Sequence, residues 1–233
     1  MGTSNPKRTA IVTGANGGLG RIVTQAFLDA GMKVAGLARS VSSNDRARPD
    51  FLGLSADLQD SASAGAAVRA VLQRFGRIDV LAHLVGGFDG GKTVIETDDS
   101  VLDRMLNLNL RPAFNVFRNV VPHMRRERFG RIIAIGSRTA VEAQPLTGAY
   151  GASKAALVSL VQTLALENAD RGITANVVLP STIDTPANRA AMPEADPAKW
   201  VKPEQVAHLL LWLASDDASQ TTGALIPIYG IGS

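Results

Sequence analysis

The chain runs Thr9-Ala-Ile-Val-Thr13 and then Gly14-Ala-Asn-Gly-Gly-Leu-Gly20 close to its N-terminus. The first run is apolar and β-prone, and residues 21–30 carry apolar side chains at helical spacing before Gly31, a typical C-terminal cap. A glycine turn between a strand and a helix lets the backbone approach a phosphate, while the helix N-terminus supplies free N–H groups and partial positive charge. The segment therefore predicts the first unit of a dinucleotide-binding α/β sheet.

The same alternation of strand and helix continues along the chain. Short apolar runs predict further strands at 33–37, 52–56, 78–85, 131–135, 174–179 and 224–228. Helical stretches lie between them at about 61–75, 98–128, 149–169 and 203–214. Continuous apolar strands separated by helices are typical of a parallel sheet covered on both faces. We therefore expect a single α/β domain over 1–233, with a doubly wound parallel sheet of about seven strands.

The composition excludes several classes of protein. The chain has 233 residues, of which 45% are hydrophobic and 19% charged, and such values are typical of a folded globular domain. It contains no cysteine, which excludes disulfides, iron–sulfur clusters, thiolate zinc sites and thiolate catalysis. The three histidines, His83, His123 and His208, have no partner four residues away, so we expect no metal site.

No apolar run approaches the roughly 18 residues that span a bilayer, and Met1 to Arg8 is polar, without the apolar core of a signal peptide. We therefore expect a cytoplasmic protein with no membrane partner. The formal net charge is +3, and the dense basic run Arg125-Arg126-Glu127-Arg128 ends a predicted helix, where cations complement the helix dipole. We interpret this run as a solvated helix end and expect no nucleic-acid partner.

The end of the second strand bears on the choice of dinucleotide. Such folds place an acid here for a free ribose 2′-hydroxyl, or an arginine nearby for a 2′-phosphate. The strand ends Leu37-Ala38-Arg39-Ser40, without an acid. The sequence therefore favours NADP over NAD, with Arg39 and Ser40 as phosphate partners, and Arg39 as a solvated loop residue is the alternative.

A second glycine stretch, Gly86-Gly-Phe-Asp-Gly-Gly91-Lys92-Thr93, matches the P-loop pattern of nucleotide triphosphatases. A working P-loop requires the helix to begin at its Lys-Thr pair, so that the backbone amides converge on the phosphates. Here the helix-capping signals, Thr97-Asp98-Asp99, come several residues later. A nucleotide triphosphatase is therefore an alternative that we do not favour.

Tyr150-Gly-Ala-Ser-Lys154 carries the strongest chemical signal. On a helix, residues four apart share a face, so the phenol and the ammonium project toward one place. A nearby cation favours the phenolate, so we expect Lys154 to lower the pKa of Tyr150 toward a useful range. Gly136-Ser137 ends the preceding buried strand, which predicts a hydroxyl, a phenol and an ammonium at the carboxyl end of the sheet.

These residues resemble the short-chain dehydrogenase/reductase family over essentially the whole chain, which implies a Rossmann fold. The family's glycine motif is matched by Thr13, Gly14, Gly18 and Gly20. Its catalytic serine, tyrosine, lysine and asparagine are matched by Ser137, Tyr150, Lys154 and Asn109. The resemblance implies that Tyr150 exchanges a proton with a substrate carbonyl oxygen that Ser137 holds. It also implies that Lys154 holds the nicotinamide ribose and that Asn109 positions a water for proton relay.

The residues implied to contact the dinucleotide, NADP or else NAD, come from six parts of the chain. They are Thr13, Gly14, Asn16, Gly17, Gly18, Leu19, Gly20, Arg39, Ser40, Asp57, Leu58, Val85, Gly86, Gly87, Tyr150, Lys154, Pro180, Ile183 and Thr185. Two positions depart from the family pattern. His83-Leu84-Val85-Gly86 replaces the family's N-N-A-G, so His83 is interpreted as a structural substitute. Gly17 stands where the family has a basic residue, which leaves the NADP prediction resting on Arg39.

The expected reaction is reduction of a small or medium apolar carbonyl compound, or oxidation of the alcohol, with a short lid at 184–202 over the substrate. Local resemblance to dihydropteridine reductases makes a pterin reductase one alternative, and an NADP-sensing regulator without turnover is another. The predicted helix at 149–169 is apolar around nearly its whole circumference. Either a neighbouring helix or a partner subunit covers it, and we expect a homodimer or homotetramer through 98–128 and 149–169.

Overall fold

The computed structural model describes residues 7–41 and 47–230. The ends of the predicted 1–233 domain, and most of the polar segment before Arg8, lie outside these residues. The described strands are β1 (Thr9–Thr13), β2 (Lys33–Ala38), β3 (Ala47–Arg48), β4 (Phe51–Ser55), β5 (Val80–His83), β6 (Gly130–Ile135), β7 (Ile173–Pro180) and β8 (Leu225–Ile228). They form one sheet in the order β3-β4-β2-β1-β5-β6-β7-β8.

Seven α-helices connect these strands in the described part of the chain. They are α1 (Gly18–Asp29), α2 (Ser61–Phe75), α3 (Asp99–Asn109), α4 (Arg111–Glu127), α5 (Gly148–Glu167), α6 (Pro186–Ala191) and α7 (Pro203–Leu213). Short 3₁₀ turns lie at Val94–Glu96, Arg138–Ala140 and Pro197–Lys199.

Apolar side chains on the two faces of the sheet form separate cores. Helices α2, α4 and α5 bury one face, and α1 and α7 bury the other. The order of the sheet reverses between β1 and β5, which are neighbours. In open α/β sheets such a switch point opens a crevice at the carboxyl ends of the strands, where ligands bind.

The predicted doubly wound parallel sheet is confirmed, since β4, β2, β1, β5, β6, β7 and β8 all run parallel. The structure adds β3, a two-residue strand that pairs antiparallel with β4 at the edge of the sheet. Its pairing is set by the tight turn at Pro49 and Asp50, which joins it directly to β4.

The predicted helical stretch at 98–128 is wrong in one respect, because it is two helices that meet at Leu110. Pro112 lies in the first turn of α4 and has no N–H to donate to the preceding turn. The break places Asn109 at the end of α3, where its side chain is fully buried.

Strand β5 is shorter than the predicted 78–85. The N–H groups of Leu84 and Val85 donate to the Thr13 hydroxyl, at 3.0 and 3.4 Å, rather than continuing the strand ladder. The chain therefore leaves the sheet directly after His83. Helix α1, in contrast, starts earlier than the predicted Arg21, within the glycine stretch itself.

Helix α3 packs along α5, so a neighbouring helix of the same chain covers part of its apolar surface. Leu102, Phe114 and Leu166 nevertheless remain exposed on α3, α4 and α5. The homodimer or homotetramer through these helices stays a prediction. Within the described residues, no helix combines the length and apolarity that crossing a membrane requires.

Candidate active site

The glycine loop between β1 and α1 is tied to the end of β2. The Gly14 N–H donates to the Leu37 carbonyl at 2.8 Å, and the Asn16 side-chain amide donates to the Ser40 carbonyl at 3.1 Å. Gly20 is required by close approach, because a Cβ there would overlap the Gly14 carbonyl oxygen. The loop thus presents its backbone at the carboxyl ends of β1 and β2.

A groove of about 270 Å³ runs along this loop and across the carboxyl ends of the strands. Eight of the residues predicted to contact a dinucleotide line it: Gly14, Asn16, Gly17, Arg39, Asp57, Leu58, Val85 and Gly86. The sequence analysis missed six further lining residues: Ala38, Ala56, Gln59, Leu84, Leu108 and Pro112. The last two come from the junction of α3 and α4, which local sequence patterns did not indicate.

The other predicted contact residues lie around the groove rather than along it. Gly18 meets the start of α6, since a Cβ on it would lie 3.0 Å from the Thr185 Cβ. Leu19 packs toward the α1 and α7 core. Ile183 pairs with Val201 in an isolated parallel bridge. Pro180 is the last residue of β7.

Thr13 and His83 brace the floor of the groove. The Thr13 hydroxyl lies 3.1 Å from His83 Nδ1 across the paired strands β1 and β5. His83 is fully buried, and burial together with the charge of Lys154 lowers its pKa to about 3. The imidazole is therefore neutral at physiological pH, and its structural role stays a prediction.

Ser137, Tyr150 and Lys154 come together at the carboxyl end of β6. Ser137 follows that strand by two residues, and Tyr150 and Lys154 project from the first two turns of α5. The Ser137 hydroxyl lies 2.7 Å from the Thr139 hydroxyl, and Ser137 is close enough to Tyr150 to lower the pKa of the phenol. The buried Lys154 ammonium donates to the Ile135 carbonyl at 3.0 Å, which anchors it to the end of the strand.

The electrostatics of Tyr150 differ from the prediction. Burial raises the pKa of the phenol, and the opposing effect comes from the Ser137 hydroxyl, with no lowering from Lys154. Burial also lowers the pKa of Lys154 to about 8. The expectation that Lys154 lowers the Tyr150 pKa is therefore wrong for this geometry, since the buried ammonium is directed to a backbone carbonyl.

Asn109 joins three parts of the site through its buried side chain. Its amide donates to the Gly87 carbonyl at 3.0 Å and to the Ser153 hydroxyl at 2.9 Å, and its Oδ1 accepts from the Gly87 N–H at 2.9 Å. A Cβ at Gly86 would lie 2.8 Å from this Oδ1 and 2.9 Å from Lys154 Nζ, so a larger residue there would displace one of these side chains. Asn109 thus fixes the loop that faces Lys154.

Phe88 was not among the predicted site residues. Its ring packs edge to face against Tyr150, with 4.9 Å between the ring centroids, yet 64% of the residue is exposed. A Cβ at Gly90 would lie 2.9 Å from Phe88 Cζ, so that glycine makes room for the ring. A large aromatic residue between glycines, just beyond a strand end, is the signal that could have indicated it.

The segment from Gly86 to Thr93 does not form a P-loop. Only a three-residue 3₁₀ turn, Val94–Glu96, follows Thr93, and α3 begins at Asp99. Lys92 pairs with Asp98 at 3.0 Å, and the Thr93 N–H donates to Glu96. Because no α-helix begins at the Lys92-Thr93 pair, the amides of this segment do not converge as phosphate binding requires.

The base of the predicted lid is closed by charge pairs. Asp184 accepts from Arg189 at 2.6 Å and from Lys202 at 2.8 Å, and Arg189 and Lys202 hold the pKa of Asp184 below its usual range. Arg189 is thus already paired with a carboxylate of the same segment. In residues 7–41 and 47–230, no three histidine, aspartate or glutamate side chains lie close enough to hold a metal ion.

Comparison with known proteins identifies the family of this chain. The family model described as short chain dehydrogenase matches residues 8–196, which is most of the chain. The chain belongs to the short-chain dehydrogenase family. It is therefore an oxidoreductase with a Rossmann fold.

Individual relatives cover nearly the whole short-chain dehydrogenase. The 3-oxoacyl-(acyl-carrier-protein) reductase FabG of Thermotoga maritima is 32% identical, over 96% of this chain and 96% of its own. Among solved structures, ElxO with NADP bound has a TM-score of 0.90 at 25% identity, with 96% and 98% of the two chains covered. A 3-ketoacyl-(acyl-carrier-protein) reductase from Brucella melitensis, complexed with NADH, has a TM-score of 0.85 at 26% identity, with 96% and 97% covered.

Proposed function

We propose that this short-chain dehydrogenase reduces the carbonyl group of a small or medium apolar substrate, or oxidises the alcohol, with NADPH as its preferred cofactor. Tyr150 is the general acid and base in this proposal. The observation that carries it is the convergence of Ser137, Tyr150 and Lys154 at the carboxyl end of β6. This cluster adjoins Gly86, where the dinucleotide groove ends.

The cradle suits a dinucleotide. The glycine loop is held to the end of β2, Gly14 and Gly17 line the groove without side chains, and α1 begins directly after them at Gly18. Asp57 and Leu58 would hold the adenine, and Lys154 the nicotinamide ribose. When bound, the nicotinamide supplies the hydride for reduction or accepts it in oxidation.

The proton belongs to Tyr150. Because burial raises its pKa, the phenol stays protonated at neutral pH and is ready to donate to a substrate carbonyl oxygen. The Ser137 hydroxyl beside it would donate a second hydrogen bond to that oxygen and stabilise the charge that develops there. In oxidation the same groups work in reverse, with the phenolate as the base.

Asn109 acts here as a positioning residue. Both hydrogens of its side-chain amide are already donated, one to the Gly87 carbonyl and one to the Ser153 hydroxyl. A water for the proton relay would therefore be held by another acceptor close to Asn109. The amide keeps the Gly86–Gly87 turn against Lys154.

The preference for NADPH rests on the end of β2. Ala38 stands where an acid would bind a free ribose 2′-hydroxyl, and the exposed Arg39 follows it in the groove. The structure of ElxO contains NADP, whereas that of the Brucella reductase contains NADH, so relatives of both kinds exist. The residues of this chain favour the phosphorylated cofactor.

The substrate is expected to be apolar near its reacting carbon. Phe88 lies against the catalytic phenol, and Leu146 and Met192 are further exposed apolar residues on the segments that flank the site. The relatives named as 3-oxoacyl reductases make 3-oxoacyl thioesters the first substrates to test. We also propose that 184–202 is the substrate lid, because its first turn packs directly on Gly18.

The decisive test combines Tyr150→Phe with a panel of carbonyl compounds that includes 3-oxoacyl thioesters and a quinonoid dihydropterin. The variant should lose at least 100-fold in kcat, since acid–base catalysis typically contributes 10²–10⁴-fold. Its affinity for NADPH, measured by cofactor fluorescence, should change by less than about threefold. Retention of more than a tenth of kcat would refute the role of Tyr150.

Tyr229→Phe is the matched control, because Tyr229 is the other of the two tyrosines and its hydroxyl donates to Glu142 at 3.1 Å. It should keep activity within a few-fold of wild type. If the wild-type chain binds NADPH tightly but oxidises it with no compound of the panel, the alternative of an NADP-sensing regulator is favoured instead.

A further inference from the structure

Arg21 lies at the start of α1, beside the loop that meets the end of β2. Its Nε donates to the Asn16 carbonyl at 3.1 Å, and the Asn16 side chain in turn donates to the Ser40 carbonyl at 3.1 Å. These two bonds link α1, the glycine loop and the end of β2. They hold the Arg21 guanidinium on the side of the loop that faces Ser40.

Two cavities meet at this link. The dinucleotide groove is lined by Asn16, Ala38 and Arg39. A second cavity, of about 340 Å³, lies on the α1 side of β2 and is lined by Asn16, Ala38, Ser40 and Arg21. Because Asn16 and Ala38 line both cavities, Arg39 and Arg21 approach the same small region from its two sides.

Two exposed arginines border this region. Arg21 and Arg39 are both exposed, and neither forms an ion pair with another residue of the described ranges. Elsewhere at the site, Arg189 and Arg138 are each paired with a carboxylate. With one of its five N–H groups used by Asn16, the Arg21 guanidinium keeps four donors for a ligand.

We propose that Arg21 is a second ligand for the ribose 2′-phosphate of NADP(H), acting with Arg39 from the opposite side of the Asn16–Ser40 link. A phosphate dianion accepts several hydrogen bonds, and the planar guanidinium donates them in pairs. The family has a basic residue where this chain has Gly17, and Arg21 supplies the positive charge that is missing there. This inference rests on the proposed NADPH preference. It explains how a second arginine adds to the binding of the 2′-phosphate by Arg39.

The test is a binding experiment that does not depend on turnover. Dissociation constants for NADPH and NADH are measured by fluorescence titration for wild type, Arg21→Gln, Arg21→Lys and Arg39→Gln. Binding of 2′,5′-ADP and 5′-AMP by calorimetry isolates the phosphate. Arg69→Gln is the charge-matched control, because Arg69 is exposed on α2 and lines neither cavity.

Arg21→Gln should weaken NADPH and 2′,5′-ADP by about 10- to 100-fold, as expected for a lost charged hydrogen bond, and leave NADH and 5′-AMP within about twofold. Arg21→Lys should fall between wild type and Arg21→Gln, since the charge remains but the paired donors do not. The control should leave all four dissociation constants at wild-type values.

A loss of NADPH and NADH affinity by the same factor in Arg21→Gln would overturn the inference, because it would show that Arg21 only supports the loop through Asn16. No change in either would overturn it as well. If Arg39→Gln lowers the NADPH preference but Arg21→Gln does not, this inference fails while the proposed function stands. Equal affinity of wild type for NADPH and NADH would instead contradict the proposed NADPH preference itself.

Discussion

The Thr13 hydroxyl and the His83 imidazole are joined across β1 and β5, with 3.1 Å between Oγ1 and Nδ1. Oγ1 also accepts the N–H groups of Leu84 and Val85, so its own proton is directed to Nδ1. This network assigns the remaining ring proton to Nε2 and keeps the imidazole neutral. One hydroxyl therefore ends β5, sets the tautomer of His83 and fixes the wall of the groove.

His83 should make the fold sensitive to acid. Its pKa is about 3 in the folded protein, against an ordinary value of 6.5, so only the unfolded chain takes up the proton as the pH falls from 7 to 5. The free energy of unfolding should therefore drop by about 2 kcal/mol over this range through His83 alone. His83→Asn should abolish this part of the drop in the free energy of unfolding, as measured by urea denaturation at pH 7 and pH 5.

His208→Asn, on the exposed side of α7, is the matched control and should keep the wild-type difference between the two pH values. If His83→Asn loses as much stability as the wild type between pH 7 and 5, the buried neutral imidazole is not the cause of that loss.

The pH dependence of reduction should follow Lys154. Burial lowers the pKa of its ammonium to about 8, whereas the pKa of Tyr150 is raised, so the lysine loses its proton first as the pH rises. We expect kcat/KM for carbonyl reduction to be level up to about pH 7.5 and to fall above pH 8. Initial rates at saturating NADPH across pH 6–10 measure this profile.

Lys154→Arg tests whether Lys154 causes the fall in kcat/KM above pH 8, here called the falling limb. A guanidinium keeps its charge across the whole pH range of the experiment. The variant should have lower activity, but its falling limb should move to higher pH. A limb that stays near pH 8 in Lys154→Arg would belong to another group.

Phe88 should determine selectivity among carbonyl substrates. Its exposed ring lies beside the Tyr150 phenol, where a flat apolar group next to the reacting carbonyl would pack against it. Phe88→Ala should lower kcat/KM for an aryl ketone by about 2- to 12-fold relative to an alkyl ketone of similar reactivity, as expected for a lost aromatic pair worth about 0.5–1.5 kcal/mol. Affinity for NADPH should stay within about twofold.

Trp212→Ala removes another partly exposed aromatic ring, on α7, and should change neither ratio nor affinity. A Phe88→Ala enzyme with an unchanged preference between the two ketones would show that the ring does not contact the substrate.

The order of strands and helices followed from periodicity because burial repeats locally along the chain. Strands β1, β2 and β4 lie within one or two residues of their predicted bounds, and α2 has its predicted bounds. The break at Leu110 was not predicted, since a proline near the start of a helix and one inside a helix look alike until the packing is known. Strand β5 ends early because the Thr13 hydroxyl, at the end of β1, accepts the N–H groups of Leu84 and Val85.

The residue types of the site and their approximate position could also be inferred, because Tyr150 and Lys154 share a helix face and Ser137 follows a strand. The direction in which each of these side chains points could not be inferred from the sequence. The Lys154 ammonium donates to the Ile135 carbonyl, and Phe88 reaches Tyr150 from another loop.

The amino-acid sequence by itself determined the α/β class, the glycine turn and the set of reactive side chains, because these depend on patterns within one or two turns of chain. Tertiary structure alone decided that Thr13 meets His83, that Asn109 holds Gly87 and that Asn16 meets Ser40. Most of these contacts join segments that the order of the sheet brings together. They set burial and hydrogen bonding, and through these the pKa values on which the chemistry depends.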